Sequence, residues 1–318
     1  MKRLDAHRGS VNSCAFTPDS RNLVTVSRDS TARVWTTRDW SHLRALTGNA
    51  GYVTSCACSP DGRTLVSVCW DGTARVWDTG DWCHLRTLKG HTEGVISCAF
   101  APDGKSLVTV SYDNTARVWD TEDWTPRRTL LGHTDGGNIN GVTCCAFSPD
   151  SRILVTGGWD QTARVWASVD WSPLHTLTGH TSVVLACAFA PDGGRLVTVS
   201  TDRTARVWST RGWAHLRTLT GHTRRVDSCV FAPDGKSLVT GSWDGTARVW
   251  DTKDWLHLRT LTGHADMVTF CAFAPDGTSL VTVSDRTTHV WADDDPRQDD
   301  SDDEDDAYAA AAWATASC

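Results

Sequence analysis

Residues 90–131 read GHTEGVISCAFAPDGKSLVTVSYDNTARVWDTEDWTPRRTLL, and the fold turns on what this stretch builds. It holds four short runs of β-branched and aromatic residues: Val95–Phe100, Ser106–Ser111, Thr115–Asp120 and Arg127–Leu131. Turn chemistry separates them. Pro102-Asp103-Gly104 lies between the first two runs. Proline presets φ at the second position of a β-turn, and Asp and Gly suit the positions after it. No window outside the last dozen residues shows a 3.6-residue apolar period, so the stretch predicts four antiparallel strands.

The same pattern recurs along the chain. Thr-Ala-Arg-Val-Trp, or a close variant, ends at Trp35, Trp77, Trp119, Trp166, Trp208, Trp250 and Trp291, with spacings of 42, 42, 47, 42, 42 and 41. A second marker falls at His7, Asn49, His91, His133, His180, His222 and His264. The long spacing reflects five extra residues between His133 and Phe147. Pro-Asp follows the first run in all seven units, at Pro18, Pro60, Pro102, Pro149, Pro191, Pro233 and Pro275. One four-stranded sheet leaves both faces bare, whereas radial stacking of several buries them. The expectation is an all-β, seven-bladed β-propeller of four-stranded antiparallel blades. Nothing after Trp291 offers a fourth strand for the last blade, while Arg3-Leu4-Asp5-Ala6-His7 matches the strand end at residues 217–222. The N-terminal strand should therefore pair with the last blade and close the ring.

Composition bounds the rest. The 318 residues are 40% hydrophobic and 22% charged, ordinary for a globular protein. No run approaches the roughly 18 apolar residues of a membrane helix, and the residues after Met1 lack the apolar core of a secretory signal. The net charge of −7 is uneven: Asp293 to Asp306 carries −9, leaving +2 for the remainder. Residues 1–292 thus read as the propeller and 293–318 as an acidic, disordered tail. Ser301, within Asp-Asp-Ser-Asp-Asp-Glu, resembles an acidophilic kinase site, against a purely solubilising extension. A near-neutral body gives no electrostatic reason to expect nucleic acid. Of 12 cysteines, seven share one repeat position (Cys14, Cys56, Cys98, Cys145, Cys187, Cys229, Cys271), where they read as small hydrophobes. Cys56 with Cys58 and Cys144 with Cys145 have the wrong spacing for zinc, so no metal and no cofactor are expected. Many free thiols favour a reducing compartment, cytoplasmic or nuclear.

The sequence resembles the WD40-repeat β-propeller family. The features that carry the resemblance are Gly-His before the first strand (Gly90-His91, Gly132-His133, Gly179-His180, Gly221-His222, Gly263-His264) and Trp-Asp closing the third. Trp-Asp is complete at Trp77, Trp119 and Trp250; Trp35, Trp166, Trp208 and Trp291 are followed by other residues. The resemblance implies a rigid platform for protein assembly. It also implies a hydrogen-bond network in which the Trp donates to a Ser and a His bridges that Ser to an Asp. Complete sets would be His7, Ser27, Asp29 and Trp35; His91, Ser111, Asp113 and Trp119; His180, Ser200, Asp202 and Trp208; and His222, Ser242, Asp244 and Trp250. Unit two has Asn49 and Cys69, unit four has Gly158 for Ser, and unit seven sets Ser284 directly before Asp285. Blades two, four and seven should be the looser ones.

Ser, His and Asp together invite a hydrolase reading. A nucleophilic site, however, needs one strained serine beside oxyanion donors, not a copy in most blades. The expectation is therefore no enzyme and no catalytic residue. Trp40, Trp82, Trp124, Trp171, Trp213 and Trp255, at the junction of strands three and four, should pack against a neighbouring turn.

Positions that vary between near-identical units are free to serve a partner. The residue before the turn Asp reads Arg28, Trp70, Tyr112, Trp159, Thr201 and Trp243, and the start of the first strand adds Tyr52, Ile96, Leu185, Arg225, Asp227 and Met267. Trp, Tyr and Arg dominate interface hot spots. The candidate partner-binding set is Arg28, Tyr52, Trp70, Ile96, Tyr112, Trp159, Leu185, Arg225, Trp243 and Met267, with a Gly/Asn-rich flap at 135–141 beside it. The expected function is a scaffold that captures a protein or peptide segment on this loop face, as a monomeric propeller within a larger complex. The alternatives are aromatics that merely pack together, a ligand or enzymatic site in the central channel, or nucleic-acid binding through Arg28, Arg224 and Arg225.

Overall fold

A computed structural model describes residues 2–4, 7–133, 141–285 and 287–292. It contains 28 strands, β1 to β28 in chain order, and no helix among the described residues. β1 (Lys2–Leu4) precedes the first blade, β2 (Val11–Phe16), β3 (Asn22–Ser27), β4 (Ala32–Thr36) and β5 (His42–Leu46). Five further sets of four run from β6 (Val53–Cys58) to β25 (His257–Leu261). The last set, β26 (Val268–Phe273), β27 (Ser279–Ser284) and β28 (Thr288–Ala292), has three. Its sheet is completed by β1, in the order β1-β28-β27-β26, with Lys2 opposite Val290 and Leu4 opposite Thr288. The ring is thus closed by the N-terminal strand. In the third blade the fourth strand starts at Pro126, one residue earlier than the sequence predicts; proline is tolerated at the first position of an edge strand.

Burial follows the radial order. First strands lie against one another around the axis, and second strands are buried on both faces, as in Leu107–Ser111. Third strands alternate, and fourth strands are exposed but for one residue such as Leu46 or Leu219. The apolar core is therefore divided into seven clusters, one at each seam between blades. At the first seam Val24, Val26, Val34 and Leu46 meet Val53, Cys56, Leu65 and Trp77 of the next blade.

The tryptophans at the third-to-fourth junction share their seam clusters with the residue that opens the neighbouring blade's Pro-Asp turn, as Trp40 does with Ala274, Trp171 with Ala101 and Trp255 with Ala190. Trp40, Trp124, Trp171 and Trp255 meet the last phenylalanine of their own first strand edge to face, at centroid distances of 6.3–6.4 Å, in the seam with the preceding blade. All six adopt left-handed φ values of 60–64°. That conformation costs a bulky residue about 1–2 kcal/mol, which the packing of the indole in the seam offsets. The preceding Asp supports the bend, as where Asp39 Oδ1 accepts the Ser41 N–H at 3.0 Å.

A β-bulge interrupts the first strand of every blade at the same place, the second residue. The bulged residues are Asn12, Thr54, Ile96, Thr143, Leu185, Asp227 and Thr269. Four of them donate across the seam to the next blade's first-strand valine: Asn12 to Val53 O (2.7 Å), Thr54 to Val95 O (2.6 Å), Thr143 to Val184 O and Thr269 to Val11 O (3.4 Å). Ile96, Leu185 and Asp227 make no such tie. Ile96 and Leu185 are half-buried and sit second in their first strands, near the strand start as expected.

Candidate functional site

The loop face is held by a relay that differs from the expected one in its hydroxyl. In blade five the Trp208 Nε1–H donates to Thr198 Oγ1 at 2.9 Å, and His180 Nε2 lies 2.9 Å from the same oxygen. His180 Nδ1 reaches Asp202 Oδ2 at 2.8 Å. The same set is His7, Thr25, Asp29 and Trp35 in blade one. In blade three it is His91, Thr109, Asp113 and Trp119, and in blade six His222, Thr240, Asp244 and Trp250. Ser27, Ser111, Ser200 and Ser242 are not the hydroxyls that the tryptophans and histidines meet. Each donates to a carbonyl of the loop before its first strand, as Ser200 Oγ does to Ser182 O at 3.1 Å. Each also accepts the turn Asp N–H at 3.1 Å. The serines thus pin loop to turn on their own account.

This changes the reading of the odd blades. Blade four, with Gly158 in the Ser position, has a full relay: His133 Nε2 to Thr156 Oγ1 at 2.8 Å, His133 Nδ1 to Asp160 at 3.0 Å, and Trp166 to Thr156 at 2.9 Å. A Cβ at Gly158 would stand 2.7 Å from His133 Nδ1 and 3.0 Å from Gly141 O, so no serine fits. Blade two keeps the indole bond, Trp77 to Ser67 Oγ at 2.9 Å, and Cys69 Sγ donates to Gly51 O at 3.1 Å where serine does elsewhere. Asn49 takes Arg75 instead of an acid, at 3.1 Å. In blade seven His264 Nε2 and Trp291 Nε1 meet Thr282 Oγ1 at 2.6 and 2.7 Å. Its Nδ1 has no partner among the described residues, and the ring stacks on His289. Asp285 is engaged by Ser10 Oγ of blade one.

Electrostatics agree with a structural relay. Burial pushes the Asp29 carboxyl up, but hydrogen bonds from Thr31, the Arg8 N–H and His7 hold it down at about 2. Burial lowers His7 and His222 against the pull of their aspartates. Gly179, at φ +135°, belongs to the same construction: a Cβ there would come within 2.6 Å of Arg206 Nη1. A buried polar network joined in this way fixes loop geometry.

On that frame the rim residues sit in one register. The backbone N–H of Arg28, Trp70, Tyr112, Trp159, Thr201 and Trp243 donates to the carbonyl eighteen residues back: Ser10, Tyr52, Gly94, Gly141, Val183 and Arg225. Three rim rings form a contiguous arc. Trp70 and Tyr112 are 5.3 Å apart and edge to face; Tyr112 and Trp159 are 6.4 Å apart and tilted by 58°. Gly141 is required beside them, because a Cβ would meet Tyr112 Cδ1 at 2.4 Å. Trp70 is 51% and Tyr52 52% exposed, while Tyr112 and Trp159 are half-buried. Burial raises the Tyr112 phenol.

Blade six is built otherwise. Arg225 stacks on Trp243, Cζ 3.6 Å from the ring centroid, and grips Asp227 with two hydrogen bonds of 2.7 and 2.8 Å. The Trp243 indole N–H donates to the same carboxylate at 2.7 Å. Burial raises the Asp227 carboxyl despite those partners. Arg28 is exposed and Met267 half-buried. Residues 135–140 of the flap lie outside the described residues, as do Ser301 and the tail.

No group of three or more metal-ligating side chains occurs among the described residues, and the eleven cysteines among them are free. No helix of the described residues is long and apolar enough to cross a membrane. A family model described as WD domain, G-beta repeat matches seven stretches: residues 1–36, 40–78, 82–120, 124–167, 171–209, 213–251 and 255–292. No curated protein matches the chain.

Proposed function

The chain belongs to the WD40 family, whose propellers generally act as protein-interaction scaffolds, and on that premise we propose that this one is a non-catalytic adaptor. It captures a protein or peptide segment on the loop face, with residues 1–292 as the binding ring and 293–318 as an acidic extension. The observation that carries the reading is the arc of Trp70, Tyr112 and Trp159, with Tyr52 beside it. Large aromatic groups left half in water at the end of a rigid turn are hot-spot material. Tyr52, Trp70, Tyr112 and Trp159 form the main contact. Arg28 and Met267 flank it, and Ile96 and Leu185 line the adjoining channel wall. Arg225 and Trp243 serve as a fixed edge, because Asp227 already holds both.

The hydrolase reading loses its geometry. The His180 imidazole faces Thr198, and Ser200 Oγ donates to a backbone carbonyl, so no base stands ready for the serine. Nucleic-acid binding loses Arg225 to its internal carboxylate. The free thiols support a reducing, intracellular setting.

Replacing Tyr52 and Trp70 together with Ala tests the reading. Thermal unfolding should match the parent, and affinity capture should lose the recovered partners. Unchanged recovery overturns it.

A further inference from the structure

Blade six shows what this rim position does with a guanidinium. Arg225 lies flat over Trp243 at 3.6 Å, and a carboxylate, Asp227, holds its edge. A planar, weakly hydrated guanidinium suits both an indole face and a carboxylate.

Blade two repeats the backbone without the arginine. The Trp70 N–H donates to Tyr52 O at 2.9 Å, as the Trp243 N–H does to Arg225 O at 3.0 Å. Tyr52 therefore occupies the place of Arg225. Trp70 is left as the one exposed tryptophan among the described residues. The loop opening blade three comes against it: a Cβ on Gly94 would stand 3.2 Å from Trp70 Cδ2. The residue before that glycine is Glu93, whose carbonyl is fixed by Ser111 Oγ at 3.1 Å and whose side chain is exposed. Of the basic residues near this face, Arg28 is the next rim residue on the blade-one side, Arg75 is tied to Asp71 and Asn49, Arg225 is held by Asp227, and Arg8, Arg203 and Arg224 lie on the loops of other blades. On its blade-three side Trp70 thus meets an aromatic ring and a loop bearing an acid, a setting that suits a cation.

We propose that Trp70, with Glu93 beside it, docks an arginine side chain from a partner's peptide segment, the intermolecular counterpart of Arg225 on Trp243. This rests on the reading of the rim as the binding face and narrows it to one ligand chemistry.

The test uses the full chain and a pair of acetylated, amidated Gly-Ser peptides, one carrying two arginines and the other two citrullines. Citrulline keeps the shape and removes the charge. Isothermal titration should show the arginine peptide binding at least about fivefold more tightly, the range expected of a stacked cation. Trp70→Ala should erase that difference. Tyr52→Arg should erase it too, by covering Trp70 with the chain's own guanidinium, while thermal unfolding stays at the parent value. Glu93→Gln should reduce it about twofold or more. Equal binding of the two peptides, or a difference that survives both Trp70→Ala and Tyr52→Arg, overturns the proposal. If capture of partners still depends on Trp70 when the peptides bind equally, the arginine site falls and the rim reading stands.

Discussion

The imidazoles of His264 and His289 lie 3.9 Å apart with their planes 11° from parallel. Burial first, and the neighbouring ring second, depress His264 from 6.5 to about 3. The folded state therefore keeps this ring neutral where the unfolded chain takes up a proton. Stability should be full above about pH 6.5 and fall as the pH drops from there toward 3, by up to about 1.4 kcal/mol per pH unit for one proton. Urea unfolding between pH 7 and 4 measures the slope. His264→Asn, which copies Asn49 of blade two, should flatten it.

Thr198→Val should destabilise more than Ser200→Ala. The first leaves the Trp208 N–H and His180 Nε2 without their shared oxygen in a fully buried site, at about 1–3 kcal/mol. The second removes two longer bonds to backbone groups of the exposed loop and turn, the Ser182 carbonyl and the Asp202 N–H, at about 1 kcal/mol. Equilibrium urea denaturation of the two variants would reverse the assignment if the order came out the other way.

Gly158→Ser restores the residue that most other units carry, yet it should lower stability by about 1–3 kcal/mol. The new Cβ would press on His133 and on the Gly141 carbonyl. A melting temperature equal to or above the parent's would refute this.

Leu4→Ala should cost about 2–3 kcal/mol, because Leu4 is buried at the closing seam with Val281, Val283 and Val290. Leu43→Ala, on the outer strand and 53% exposed, should change little. Calorimetry of both variants reads the contrast.

Trp243→Ala should destabilise and Trp70→Ala should not. The first strips the half-buried Asp227 of a donor; the second removes a ring that is half in water and donates no such bond. Thermal unfolding of the pair checks it.

The blades, their seven-fold count and the closing strand could be read from repetition, since a 42-residue period with Pro-Asp turns leaves few architectures. The relay hydroxyl could not be read from spacing. Thr198 and Ser200 are two apart on one strand, so both side chains point to the same face. A signal was nonetheless present. The relay position holds a hydroxyl in every unit (Thr25, Ser67, Thr109, Thr156, Thr198, Thr240, Thr282), whereas the serine position admits Cys69 and Gly158. The rim was legible as variation against a constant background. Ile96 and Leu185 lie at the start of the first strand, as read, but the bulge that holds them has no residue signature here. The pairing of Arg225 with Asp227 across a bulge was hidden for the same reason.

The three residue pairs between β1 and β28 are where strands from opposite parts of the sequence join to close the ring. Tension applied across the two chain ends would load this short ladder first and peel it before any other sheet felt force. A circularly permuted gene that opened the backbone in another fourth-strand junction would carry the weak point to that blade, and the unzipping force with it.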